Sequence, residues 1–247
     1  YVSVDSNCRN LYNTGTINMN GGTVKSSYST AVLNSGAFTM SGGTIEGTST
    51  SSTGYLVETE RNFTMSGGTI TAKTQNAIGD ENGTITITGG VVYSASNIAI
   101  ASTSSVVIGT TSTAVNDVKI IGSTYAVSGI LTFNGGSLYG SSSYTNVYRG
   151  TITVPSGKVV VGDTTTYNST AYRRNYLVDG VAKIGTTYYA TLQEAVNALT
   201  STSTTIEFPD CRYICVSETT ISNESQNPIN RKHSLGVSLR IHPLVVT

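Results

Sequence analysis

No tryptophan occurs among the 247 residues, and Asp, Glu, Lys and Arg together make up only 11% of them. Fourteen basic residues balance fourteen acidic ones, with no basic run or stripe along the chain. A nucleic-acid-binding surface is therefore not expected, because holding phosphates needs clustered positive charge. No apolar run approaches the roughly 18 to 20 residues that a spanning helix needs, so no membrane span is expected in this stretch of chain. Cysteine is scarce too. Cys8, Cys211 and Cys215 do not make a disulfide framework, and with only His233 and His242 beside them no ligand set at metal spacing emerges. Cys8 is expected to be buried, and Cys211 and Cys215 to be loose or paired in a C-terminal tail. The chain opens on Tyr1 rather than Met, as expected of a processed or trimmed fragment whose signal peptide is not seen.

What is abundant is glycine, 26 residues of it, together with Ser, Thr and Asn, and Tyr outnumbers Phe 15 to 4. Helix formers are rare outside one segment. This composition reads as an all-β chain with many turns.

The eight residues FTMSGGTI occur from Phe38 to Ile45 and again, unchanged, from Phe63 to Ile70. They belong to a longer series: INMNGGTV, FTMSGGTI twice, ITITGGVV, a degenerate VVIGTTST, LTFNGGSL and ITVPSGKV. The first glycine falls at Gly21, Gly42, Gly67, Gly89 and Gly135, with Ser156 in its place in the last unit, giving spacings of 21, 25, 22, 46 across two units, and 21. A period near 22 residues, rich in Gly and β-branched residues, predicts a solenoid. Leucine-rich repeats are disfavoured because Leu is sparse. The parallel β-helix fits better.

Before the glycines each unit alternates with period two. Ile17 and Met19, Phe38 and Met40, Phe63 and Met65, Ile85 and Ile87, Leu131 and Phe133, and Ile152 and Val154 should point inward. After the glycine corner one more inward residue follows in each unit, at Val24, Ile45, Ile70, Val92, Leu138 and Val159. A third apolar patch comes next, at 31–33, 55–57, 77–78, 98–100, 125–127 and 146–148. Three strands per coil predict a three-sided prism. About seven coils at a strand spacing of ~4.8 Å would make a rod on the order of 34 Å long. The glycine pair marks a corner that needs positive φ or leaves no room for a Cβ.

Coils of this style, over about residues 10 to 162, resemble the imperfect repeats of right-handed β-helix surface proteins of pectate-lyase-like type from gut-dwelling bacteria. The resemblance implies a secreted or cell-surface, adhesin-like or stalk module, extracellular, that binds a glycan or a host surface if it binds anything. The same fold also carries polysaccharide lyases and glycoside hydrolases, so a polysaccharide-degrading enzyme is the alternative.

The expected organisation is a β-helix over 1–175, a helix-plus-strand cap or start of a second module over 176–210, and an irregular tail over 211–247. In the middle part Thr191 is a plausible N-cap with Glu194 completing a capping box, and Leu192, Ala195, Val196 and Leu199 share one helix face. That segment resembles an element that opens many bacterial surface modules.

Three sets of residues are candidates for chemistry. Along the outward column of the first strand stand Asn18, Thr39, Thr64, Thr86, Val107, Thr132 and Thr153, without an acid, base or nucleophile. A regular threonine array could bind ice, although Val107 and irregular flanking columns argue instead for threonine as an ordinary strand residue. Tyr93 and Tyr139 follow the second strand at equivalent outward positions, where rings can stack on sugars. Finally Glu58, Glu60, Asp80 and Glu81 lie before the first strand. Counting back from Phe63 and Ile85 stacks Glu58 on Asp80 and Thr59 on Glu81, so these acids either splay into water or share calcium. No other cofactor is expected, and no catalytic residue stands out.

Overall fold

The computed structural model describes residues 2–4, 10–27, 30–51, 53–111, 117–199, 205–209 and 239–240. Cys8, Cys211, Cys215, His233 and His242 lie outside the described residues, as does nearly all of the tail expected over 211–247. The chain divides into two compact units, one of residues 1–155 with 160–177 and one of residues 156–159 with 178–247.

The first unit is an all-β parallel solenoid of about six turns. Its first face stacks Thr16–Met19, Ala37–Met40, Phe63–Met65 and Ile85–Ile87, then the second halves of Ile100–Ile108 and Val127–Phe133 and the end of Tyr148–Thr153. The second face stacks Val2–Val4, Thr23–Ser26, Thr44–Gly47, Thr69–Ala72, Gly90–Ser94, Val118–Gly122 and Ser137–Ser141. The third face stacks Leu11–Asn13, Val32–Asn34, Tyr55–Thr59, Asn76–Asp80 and the leading parts of the same three long strands. Successive turns pair in parallel throughout these ladders. The three-strand coil expected from the repeat is the one observed. In the later turns the third and first faces merge, because Ile100–Ile108 runs through their shared corner as one strand with a register shift between Ala101 and Ser105.

The repeated octapeptide lands on itself. Phe38 pairs with Phe63, Thr39 with Thr64, Met40 with Met65 and Ile45 with Ile70. Each inward residue is thereby packed against its own kind, and the Phe38 and Phe63 rings meet edge to face at 5.2 Å. Phe38, Met40, Ile45, Phe63, Met65 and Ile70 are all essentially inaccessible to solvent, inside one core that runs the length of the stack.

Each glycine of a corner pair has a separate job. The second takes a left-handed conformation, with φ of 90° at Gly43 and 92° at Gly68, which disfavours any residue with a Cβ. The first faces the turn below: a Cβ on Gly67 would lie 2.5 Å from the carbonyl oxygen of Ser41.

The last repeat unit departs from expectation. Its first strand joins the stack, but Val159, expected inside a seventh coil, belongs instead to a long strand, Lys158–Tyr167. A turn with positive φ at Asn168 and Ser169 sends the chain back as Thr170–Asp179, which pairs antiparallel with Ser137–Ser141. A hairpin thus closes that edge of the second face. An antiparallel strand can satisfy the edge without offering another parallel template.

In the second unit Ala182–Ile184 pairs antiparallel with Thr187–Tyr189 and, through Lys183, with Ile206–Glu207. The expected helix spans Leu192–Asn197, and its capping box is complete: Glu194 N–H donates to Thr191 Oγ1 at 3.2 Å, and Thr191 N–H donates to Glu194 Oε2 at 3.1 Å. Ala195 and Val196 are buried with Ala182 and Ile206, while Leu192 is 37% exposed.

Candidate functional site

The threonine column is in register as read. Asn18, Thr39, Thr64, Thr86, Val107, Thr132 and Thr153 pair successively along the first face. Beside it, Thr16 pairs with Ala37 and the exposed Ile130 with Thr151, so no second column of threonine accompanies the first. One interrupted row of hydroxyls and methyls stabilises a ladder and offers no catalytic group.

Tyr93 and Tyr139 occupy one column of the second face, with Ile121 between them. The expectation of two rings open to a sugar is not met. The terminal hairpin brings Tyr167 and Tyr172 over this column, leaving Tyr139 only 7% exposed. Tyr139 lies 6.2 Å from the Tyr167 ring and 6.5 Å from the Tyr172 ring, and Tyr93 lies 5.8 Å from Tyr167. Burial, helped by hydrogen bonding to Tyr93, pushes the Tyr172 hydroxyl up to about 12. Arg174, opposite Tyr139 in the antiparallel register, forks onto Asp163, which holds that carboxyl below its usual range. These tyrosines seal the hairpin to the solenoid.

The acidic corner is also arranged differently from the sequence count. Glu58 pairs with Gly79, and Thr59 pairs with Asp80. Thr59 lies four residues before Phe63, whereas Asp80 lies five before Ile85. That one longer corner shifts the stacking by a residue and reverses which side chains face inward. Asp80 is 2% exposed and continues an internal polar column made by Asn13, Asn34, Thr59 and Ser102. Within it Asn13 Nδ2 donates to Asn34 Oδ1 at 2.7 Å and Asn34 Nδ2 donates to Thr59 Oγ1 at 2.9 Å. Asp80 Oδ1 accepts from Ser102 Oγ at 2.6 Å and from the backbone N–H groups of Thr103 and Ser104 at 3.0 and 3.4 Å. Its Oδ2 is buried and has no hydrogen-bond partner among the described residues.

The other acids face outward. Glu60 accepts from Ser35 Oγ at 2.6 Å, Glu58 is half-buried and Glu81 is exposed. The four carboxylates are thus divided between interior and surface. Among the described residues no group of three or more His, Cys, Asp or Glu side chains could hold a metal ion.

A surface aromatic pair escaped the periodic reading. Tyr144, in the tight turn after Ser141, stacks on Tyr125 with ring centres 4.7 Å apart and planes at 21°. Arg149 lies 5.7 Å from the Tyr125 ring centre and donates through Nε to Ser128 Oγ at 3.2 Å. Tyr144 is 37% exposed and Arg149 is exposed. Tyr125 falls by period in the third apolar patch of its coil, at 125–127. Its partner comes from a non-repeating turn, so no period could signal the pair.

Comparison of the chain with models of known protein families, with curated proteins and with solved structures finds no match in any of the three.

Proposed function

We infer that this chain is a secreted or cell-surface structural module, adhesin-like or a stalk, that displays its outer faces to glycans or to a host surface. The observation supporting this reading is the in-register self-stacking of the coils, in which inward polar groups are used to hold one turn to the next. Outward charges act likewise, as in the Lys25 Nζ to Glu46 Oε1 pair at 2.9 Å across adjacent turns. Such a ladder gives stiffness and a constant outer surface. A glycan would contact the Tyr144, Tyr125 and Arg149 platform, where a ring face can stack on sugar C–H groups and a guanidinium can hold a hydroxyl or carboxylate.

The test is binding of the purified chain to a broad glycan array, with calcium and then with a chelator. Specific binding that is lost in Tyr144→Ala supports the reading. Binding that requires calcium and survives Tyr144→Ala would move the site to the acidic corner. That result would revive the polysaccharide-cleaving alternative, to be followed by a cleavage assay. Silence under both conditions leaves the stalk role alone.

A further inference from the structure

Arg149 is an oriented cation without an acid beside it. Over residues 118–162 the sequence has no Asp or Glu, and the acids that flank this stretch, Asp117 and Asp163, pair with Lys119 and Arg174. Among the described residues Arg149 makes no ion pair. Its own outward column runs back through Ser128, Ala101 and Gly79 to Glu58. That carboxylate is four strand spacings away, roughly 19 Å. The separation exceeds the screening length of about 10 Å at ~0.1 M salt, so Glu58 does not neutralise the guanidinium.

The side chain is nevertheless held in place. Nε donates to Ser128 Oγ at 3.2 Å, and the guanidinium carbon lies 5.7 Å from the Tyr125 ring centre. The first contact uses one edge of the guanidinium and the second uses a face. What stays free of the described residues is the pair of terminal Nη groups, the edge that takes a planar carboxylate through two parallel hydrogen bonds. A fork ordered beforehand loses less freedom on binding than one that swings in water. Beside it Tyr144, stacked on Tyr125, presents a partly exposed ring. Ser142, Ser143, Thr145 and Asn146 around that ring are exposed and uncharged, so they can meet sugar hydroxyls without repelling an anion.

We propose that the glycan taken by this platform is acidic, with a ring carboxylate of the hexuronic acid kind on the Nη fork of Arg149 and a sugar C–H face on Tyr144. A hydroxyl would engage one N–H of the fork, whereas a carboxylate engages two and supplies the opposite charge that no acid of this column provides. The proposal rests on the reading of the platform as a glycan site and adds the chemistry of the ligand.

The test is isothermal titration of the whole chain with two oligosaccharides that differ in one group. One is an oligomer of a hexuronic acid, and the other is the same oligomer with its carboxyl groups reduced to primary alcohols. The expected result is roughly tenfold tighter binding of the acid form. That preference should shrink as salt is added. It should be lost in Arg149→Gln and mostly lost in Arg149→Lys, which keeps the charge without the fork, while Tyr144→Ala weakens both forms. Equal affinity for the two forms overturns the proposal and leaves the platform standing, as does binding of neither by a chain that binds other glycans through Tyr144. A chain that binds no glycan at all overturns both. A preference that survives in a folded Arg149→Gln overturns the role of Arg149. A sulfated neutral oligomer or an aspartate-rich peptide bound as tightly as the acid form shows that the site answers to charge alone, and overturns the carboxylate assignment. The comparison of the two oligomers on the parent chain needs no variant, so a substitution that fails to fold leaves it decisive.

Discussion

Gly21 and Gly67 occupy the same place in the repeat and face different surroundings. A valine at position 67 would push its Cβ into the Ser41 carbonyl at 2.5 Å, while one at position 21 would meet open space. Gly67→Val is expected to cost on the order of 3 kcal/mol, and Gly21→Val to change stability little. Denaturant titration of the two variants checks this, and equal midpoints would show that the corner contact does not govern the packing. Asn34 belongs at this scale as well. It is fully buried, donates to Thr59 Oγ1 and accepts from Asn13 Nδ2. Asn34→Leu removes these bonds, along with those to the Asn62 carbonyl and from the Gly36 N–H, and is expected to destabilise by roughly 2 to 4 kcal/mol, with the loss read from the same titration.

The element that most changes the reading of the molecule is the terminal hairpin. Its Tyr172 titrates in the folded state at about 12, above the ordinary 10.0, because burial favours the neutral phenol. Stability from this group is complete below pH about 10 and is lost as pH rises toward 12, since the unfolded chain gives up the proton first. Melting temperatures measured from pH 9 upward should therefore fall less steeply for Tyr172→Phe than for the parent chain. Parallel curves would show that Tyr172 does not carry this linkage. The same hairpin explains why Tyr139, a candidate for sugar stacking by its column alone, serves as a packing residue.

Over the whole solenoid, each turn rests on its neighbours, and stability is a sum of turns and the contacts between them. The central turns, which contain Phe38 through Ile108, have neighbours on both sides and the most completely buried side chains. Native-state hydrogen exchange should be slowest there and progressively faster toward Leu11–Asn13, whose outer edge is unpaired among the described residues. Uniform protection from the first turn to the central ones would mean that the first solenoid unit opens as a single cooperative body.

The amino-acid sequence by itself determined the repeat, the three strands per turn, the inward columns and the capped helix. Each of these follows from local periodicity or from residues within a few positions of one another, and self-similar turns extend that local information along the stack. Phe38 on Phe63 could be read from identity alone. The one-residue slip at Asp80, the hairpin over Tyr139 and the Tyr125–Tyr144 stack could not. Each arises where the chain leaves the repeat: a corner one residue longer, a strand that reverses direction, a turn with no counterpart in other coils. Only the tertiary structure decided them, because burial and ring contact depend on which distant strand comes to lie on a face, and a periodic pattern carries no information about the segment that interrupts it.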